Sequence, residues 1–304
     1  MGNDLGPILL TGATGYLGGH VIAKLQARRL SFVATSLGGA AGGPCDLTSA
    51  DSVRALLGRA KPSVVIHCAA AVPKTASAYN DTEAADASIA MLKTLADNAD
   101  CPIVFASSMT VYGAAVECPA DEASRPHPDS AYARGKWAAE QLLFDRKRSG
   151  DVALRLPGLF GLPRRSGVMY TAAKAFLTRG NFALTASDEP WAAMTVDDAA
   201  EYLVRAGTSR FGTPSQVVNV CYEGEFSVPS AVAQIAACCG VAWRPPSTNA
   251  KAFSMRLQRL ESRYGSLQVT FSTRLEDFVR VVHRDLAGGE TPPMRRREDP
   301  RRGS

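Results

Sequence analysis

The sequence predicts an α/β protein built on an open, doubly wound parallel sheet of the Rossmann type. Short apolar runs rich in β-branched residues alternate with longer helical patterns over the first half of the chain. Those runs are apolar throughout rather than alternating, as expected of strands covered by helices on both faces. The first run also passes directly through a glycine-rich turn into a helix. In chain order, strands are expected at 7–11, 31–36, 63–68, 102–107 and 151–156. Helices are expected at 16–29, 49–60, 81–98 and 130–148. The regularity fades after Leu156, which argues against a closed eightfold barrel. One further strand at 216–220 returns to the sheet. A helical stretch at 164–180 and shorter helices after Tyr222, broken by Pro229, Pro245 and Pro246, remain outside the main pattern. The expected organisation is therefore a dinucleotide-binding core at 1–156, rejoined by 194–221. A smaller substrate-binding lobe at 157–193 and 222–290 lies over the carboxyl ends of the strands.

Composition narrows the class. The chain has 304 residues and is 46% hydrophobic, enough for a substantial core. Its formal charge of +5 is concentrated in the last ten residues, which hold five Arg against Glu298 and Asp299. Such a terminus reads as a disordered basic tail at 291–304, and the near-neutral body offers no basic stripe for nucleic acid. The apolar stretch 64–72 is interrupted by His67 and falls far short of the ~20 residues a membrane helix needs. The first residues form no secretory signal. Seven cysteines without a C-x-x-C pair fit neither a disulfide framework nor a zinc site, so no metal is expected and a reducing cytoplasm is the expected location.

The turn after the first strand reads Thr11-Gly12-Ala13-Thr14-Gly15-Tyr16-Leu17-Gly18. Glycines here remove the Cβ atoms that would keep a pyrophosphate from the backbone N–H groups and the helix N-terminus. The bland alternative is a turn needed only for close helix–strand packing. The motif resembles the opening of the extended short-chain dehydrogenase/reductase family, which includes nucleotide-sugar epimerases, dehydratases and ketoreductases. Further segments are similar to that family in the same order: Cys45-Asp46-Leu47-Thr48, His67-Cys68-Ala69-Ala70, Ser107-Ser108-Met109-Thr110-Val111-Tyr112-Gly113, Tyr132 with Lys136, and Val196-Asp197-Asp198-Ala199. The resemblance implies that Gly12, Thr14, Gly15, Tyr16, Leu17, Gly18, Ser36, Asp46, Leu47, Ala69, Ala70, Ala71 and Pro157 line a nicotinamide dinucleotide. It also implies a homodimer through the helices at 81–98 and 130–148, whose small outer residues include Ala84, Ala87, Ala138 and Ala139.

Tyr132 and Lys136 stand one helical turn apart and share a helix face. A nearby ammonium, together with a nicotinamide cation, is expected to lower the tyrosine toward working pH, so that it exchanges a proton with a sugar oxygen. The resemblance adds that Lys136 holds the nicotinamide ribose. Ser108, at the end of the preceding strand, is expected to bind the same carbonyl or hydroxyl, with Ser107 and Thr110 as rivals. The alternative for Tyr132 and Lys136 is a surface pair on an amphipathic helix. His67 reads as a packed histidine rather than a base, Cys238 and Cys239 as packing, Tyr112 as core or site, and Asp197-Asp198 as a helix cap rather than a metal pair.

Cofactor and substrate are less sharply marked. The second strand ends Ala34-Thr35-Ser36, without the acid that binds an NAD ribose. NADP(H) is therefore favoured, held through the 36–39 turn, with NAD(H) possible. The short passage from this strand to Asp46 resembles the dTDP-4-dehydrorhamnose reductase branch. Met109 stands where related dehydratases carry acids and fucose-synthase-like members a Cys, which disfavours both chemistries. Gly158 replaces the Asn that family members use to touch a nucleotide sugar, and Pro190-Trp191-Ala192 stands where an Arg is common. Met109, Thr110, Gly158, Arg164 and Arg165 are the remaining substrate-side candidates, the two arginines as diphosphate ligands or as exposed loop charges. The expected activity is NAD(P)-dependent reduction of a keto group on a nucleotide-linked sugar. The alternatives are a C4 epimerase with tightly held NAD and a non-enzymatic NADP(H)-sensing subunit.

Overall fold

A computed structural model describes residues 6–40, 42–73, 75, 77–184, 190–209, 214–246 and 251–288. The basic tail expected at 291–304 lies outside the described residues. The core is a six-stranded, wholly parallel sheet in the order β2-β1-β3-β4-β5-β8. Its strands are β1 (Ile8–Thr11), β2 (Phe32–Thr35), β3 (Val64–His67), β4 (Ile103–Ser108), β5 (Val152–Leu156) and β8 (Gln216–Asn219). Every residue of β1, β3, β4 and β5 is buried, which is why the sequence shows continuous apolar runs there. Helices α1 (Tyr16–Ala27), α2 (Ala50–Ala60), α3 (Thr82–Asn98), α4 (Ala131–Asp145) and α6 (Val196–Thr208) cover the two faces. Most start at a side-chain cap: Ser49, Asp81, Ser130 and Thr195 each accept a backbone N–H from the first turn.

The chain crosses from one side of β1 to the other between β2 and β3, which makes the β1/β3 boundary a topological switch point. The carboxyl ends of β1, β3 and β4 deliver Thr11, His67 and Ser108 to the crevice there. The 36–44 loop folds back against β2: Cys45 N–H donates to Ser36 O at 3.1 Å, and Ser36 forms a bridge with Pro44.

Beyond β5, two short strands, β6 (Gly158–Phe160) and β7 (Ala193–Thr195), pair in parallel. Helices α5 (Gly167–Arg179), α7 (Val228–Cys238) and α9 (Phe271–Leu286) pack on one another beside them, with α8 (Gln258–Tyr264) near β8. Phe160 meets Phe278 and Phe271 edge-on at 5.0 and 6.2 Å. At 16 residues, α9 is longer than the broken pattern of this region suggests. It is tied down at both ends. Arg274 gives two hydrogen bonds to buried Asp198, at 2.7 and 2.8 Å, and Arg165 gives two to Asp285, at 2.8 and 2.5 Å.

Several sequence expectations change here. Asp197 and Asp198 do point different ways, but neither caps α6. Thr195 is the cap, while Asp197 pairs with Lys24 at 2.5 Å and His20 at 3.6 Å, which holds its carboxyl down at about 2. Cys239, at the C-cap of α7, packs against the core, whereas Cys238, the last residue of the helix, is exposed. Ala139 is turned into the core rather than outward. Among the described residues, no helix is long and apolar enough to cross a membrane, and no group of three or more His, Cys, Asp or Glu is placed to hold a metal.

Candidate active site

The glycine turn closes against β3. Gly12 has φ +72°, and a Cβ on it would lie 2.6 Å from the Ala69 backbone nitrogen; one on Gly18 would lie 2.1 Å from the Gly12 carbonyl oxygen. These two glycines let β1, α1 and the segment after β3 approach one another. Gly15 differs: its φ is −74°, and an added Cβ would meet only the Gly12 carbonyl, at 3.1 Å. Gly15 is also the N-cap of α1 and provides no side-chain cap. The first turn of α1 therefore presents N–H groups and positive helix-end potential without a side chain in front of them, a cradle that fits a pyrophosphate. Gly12 and Gly18 thus serve close packing, while Gly15 has little packing need of its own.

Around this cradle, Tyr16 is fixed by its hydroxyl donating to Gly161 O at 2.7 Å, and the Arg164 guanidinium lies 5.8 Å from its ring centre. Arg164 also donates to Ser166 Oγ at 3.2 Å. Arg165 is directed away, into its pair with Asp285, so the two adjacent arginines separate. Asp46 spends one carboxylate oxygen on Thr48, accepting its N–H at 2.9 Å and its hydroxyl at 2.7 Å, while Leu47 packs in the core. Ala69 and Ala70 lie beside the turn, and Ala71 N–H is held by Ser88 Oγ at 3.0 Å. The Ser36 hydroxyl donates to Gly39 O at 2.9 Å. Pro157 is buried between β5 and β6.

Ser108, Tyr132 and Lys136 come together at the end of β4. Ser108 Oγ accepts from Thr110 N–H at 3.3 Å and from Thr110 Oγ1 at 3.0 Å, so its acceptor capacity is filled and its proton remains to be donated. Ser108 is close enough to Tyr132 to favour its ionised form. The rivals separate by strand alternation: Ser107 points to the opposite face and donates to buried Glu140 at 2.5 Å, and Thr110 serves Ser108. Lys136 is buried, with Nζ donating to Ala106 O at 2.7 Å and lying 4.7 Å from the Phe105 ring centre. Tyr132 and Lys136 are thus not a surface pair. Burial pushes the Tyr132 phenol up, Tyr79 adds to this, and Ser108 opposes it. The expected lowering by Lys136 does not operate in the chain alone, because the ammonium faces the Ala106 carbonyl and the faces of the Phe105 and Tyr132 rings, at 5.8 Å from the latter's centre. Burial also brings Lys136 down to about 8.

His67 is a packed histidine. Its Nδ1 is 2.8 Å from Thr11 Oγ1, and burial, helped by Lys136, holds its pKa at about 3, so it stays neutral. Tyr112 is core, its hydroxyl bonded to Asn219 Oδ1 at 2.6 Å. Two neighbours of the site were not among the sequence candidates for it. Tyr79, in the 3-10 turn Ser77–Asn80, meets Tyr132 edge-on at 5.5 Å. Trp191 sets its indole Nε1 3.7 Å from where a Gly158 Cβ would stand, so its ring occupies the space beside the missing side chain. Gly158 N–H itself bonds Ala192 O at 2.9 Å. Met109 is buried, and Thr110 is half-buried at the rim.

A sequence model of the NAD dependent epimerase/dehydratase family matches residues 8–221, from β1 past β8. The chain belongs to that family. It is 26% identical over 213 residues to a dTDP-4-keto-6-deoxy-D-glucose reductase of Streptomyces niveus, covering 66% of this chain and 69% of that relative. It is 28% identical over 154 residues to a UDP-glucose 4-epimerase of Rhizobium meliloti, covering 45% and 46%. Among solved structures, the Bordetella bronchiseptica enzyme WbmG in complex with NAD and UDP has the same fold, with a TM-score of 0.76 and 19% identity over 94% of this chain and 97% of that one.

Proposed function

We propose that this family member is an NAD(P)-dependent oxidoreductase that reduces a keto group of a nucleotide-linked sugar. The observation that carries the reading is the Ser108 hydroxyl, filled as an acceptor and left with a proton to donate, gathered with Tyr132 and buried Lys136 at the end of β4. The dinucleotide supplies the hydride. The protein's own part is to hold the sugar carbonyl through Ser108, to give its oxygen a proton from Tyr132, and to hold the ribose through Lys136. A tyrosine that burial keeps protonated suits the reductive direction, where it is the acid. The reductase relative supports the same reaction class. The direct test is oxidation of added NADPH or NADH by a 4-keto-6-deoxy dTDP-sugar.

A second reading, a nucleotide-sugar 4-epimerase, draws support from the epimerase relative. That enzyme would be purified with stoichiometric NAD and would not consume added cofactor in the presence of keto-sugars.

For the cofactor we propose a preference for NADP(H), with NAD(H) accepted. The support is the run from Ser36 to Cys45, which carries no acid to repel a 2′-phosphate or to pair with a free ribose hydroxyl. Ser36→Asp is expected to weaken NADPH binding at least ~10-fold and to strengthen NADH binding. Fluorescence titration of both cofactors into both proteins measures it, and a wild type that strongly prefers NADH overturns the preference.

A homodimer through α3 and α4 is also proposed. These helices pack side by side, and Ala84, Ala87 and Ala138 are half-exposed along them, with Trp137 37% exposed nearby. Two such pairs would form a four-helix interface. Sedimentation is expected to give twice the chain mass at micromolar concentration, and a monomer there rejects the interface.

A further inference from the structure

Beneath Lys136, on the side of α4 that faces the sheet, lies a buried ion pair that the proposed reaction does not use. Glu140 is 0% exposed and Arg155 2%. Arg155 donates to both carboxylate oxygens, from Nε at 3.0 Å and from Nη2 at 2.6 Å. Ser107, the residue before Ser108, donates to the same carboxylate at 2.5 Å. The Arg155 guanidinium lies 4.7 Å from the Tyr112 ring centre, and Tyr112 is bonded to Asn219. One polar chain thus fastens α4 to β4, β5 and β8, with Tyr132, Lys136 and Glu140 at four-residue spacing along the helix. A buried ion pair of this kind adds little net stability over an apolar pair of similar volume, so stability alone is a weak reason for its presence.

The charges around Lys136 supply a stronger one. From β3 and its continuation come His67 and Cys68, from α4 Tyr132 and Glu140, and from β4 the Phe105 ring and the Ala106 carbonyl. His67 is neutral. Burial pushes the Cys68 thiol up to about 12, so it carries no charge at neutral pH, and Tyr132 stays a phenol. Glu140, paired through both oxygens with Arg155, is the acidic side chain of this set.

We propose that Glu140 is a positioning residue for Lys136: it locks α4 to the sheet through Ser107 and Arg155, and its buried charge keeps the lysine an ammonium able to grip the ribose. This rests on the reading of Lys136 given above. Burial brings Lys136 down to about 8 with Cys68 and Glu140 both opposing the fall, so removing the Glu140 charge moves the titration further into the working range.

The test follows Lys136 directly in cofactor-free protein labelled with ¹³C-lysine, by NMR from pH 6 to 10, its signal assigned by its loss in Lys136→Met. In Glu140→Gln the midpoint is expected to fall from about 8 to roughly 7 or below. NADPH affinity is expected to decline with rising pH from a correspondingly lower value. Glu140→Asp keeps the charge and is expected to restore the wild-type midpoint, whatever its effect on melting temperature. If Glu140→Gln does not fold, Glu140→Gln/Arg155→Met removes both charges together and is expected to show the same fall. A midpoint that stays at the wild-type value in the neutral variant overturns the proposal and leaves Glu140 a purely structural residue. Unchanged NADPH affinity in Lys136→Met instead sinks the parent reading, and the NMR midpoint still reports on Glu140.

Discussion

Tyr132→Phe is expected to lower turnover by ~10² or more, with melting temperature and cofactor affinity nearly unchanged. The phenyl ring keeps the edge-on contact with Tyr79 and the packing against Lys136, so only the hydroxyl is lost. When a hydride adds to a carbonyl carbon the oxygen must gain a proton, and among the described residues the imidazole and the other hydroxyls nearby are engaged elsewhere. His67 is neutral and bonded to Thr11, Ser107 is turned to Glu140, and Thr110 is engaged with Ser108. Steady-state assay with NADPH and a keto-sugar nucleotide measures the loss. Turnover within a few-fold of wild type would remove Tyr132 from the reaction.

The second large effect divides the glycine turn. Gly18→Ala is expected to destabilise the fold by about 3 kcal/mol or more, a fall of roughly 10 °C in melting temperature, because its Cβ would overlap backbone that cannot move without parting α1 from β1. The overlap is with the Gly12 carbonyl oxygen at 2.1 Å and its carbon at 2.9 Å. Gly15→Val, by contrast, is expected to fold with little loss and to abolish cofactor binding. Its Cβ has an ordinary φ and a single close neighbour in the protein, and its branches project where phosphate must approach. Thermal melting and fluorescence titration of the two variants separate the roles. Equal melting losses in both would show that Gly15, too, is required for packing.

How much of this was legible before any fold was built depends on how local the cause is. The strands β1, β3, β4 and β5 were legible because burial on both faces leaves an uninterrupted apolar run, and α1 to α4 because each starts at a capping side chain or a glycine turn. Tyr132 and Lys136 were legible as a pair because four residues make one turn. The choice of Ser108 over Ser107 was also local, since strand alternation sends neighbours to opposite faces.

What the tertiary structure decided are relations between residues far apart in sequence. Glu140 meets Arg155 and Ser107, Asp198 meets Arg274, Asp285 meets Arg165, and Trp191 stands beside Gly158; no spacing announces any of these. The ionisation of the site belongs to the same class. From the helix alone, Lys136 should draw the tyrosine down. The fold instead buries Lys136 and half-buries Tyr132, aims the ammonium at the Ala106 carbonyl, and so leaves desolvation to raise the tyrosine and lower the lysine. The sequence by itself determined which side chains reach the crevice; their charge states were decided by the solvent the fold removes from around them.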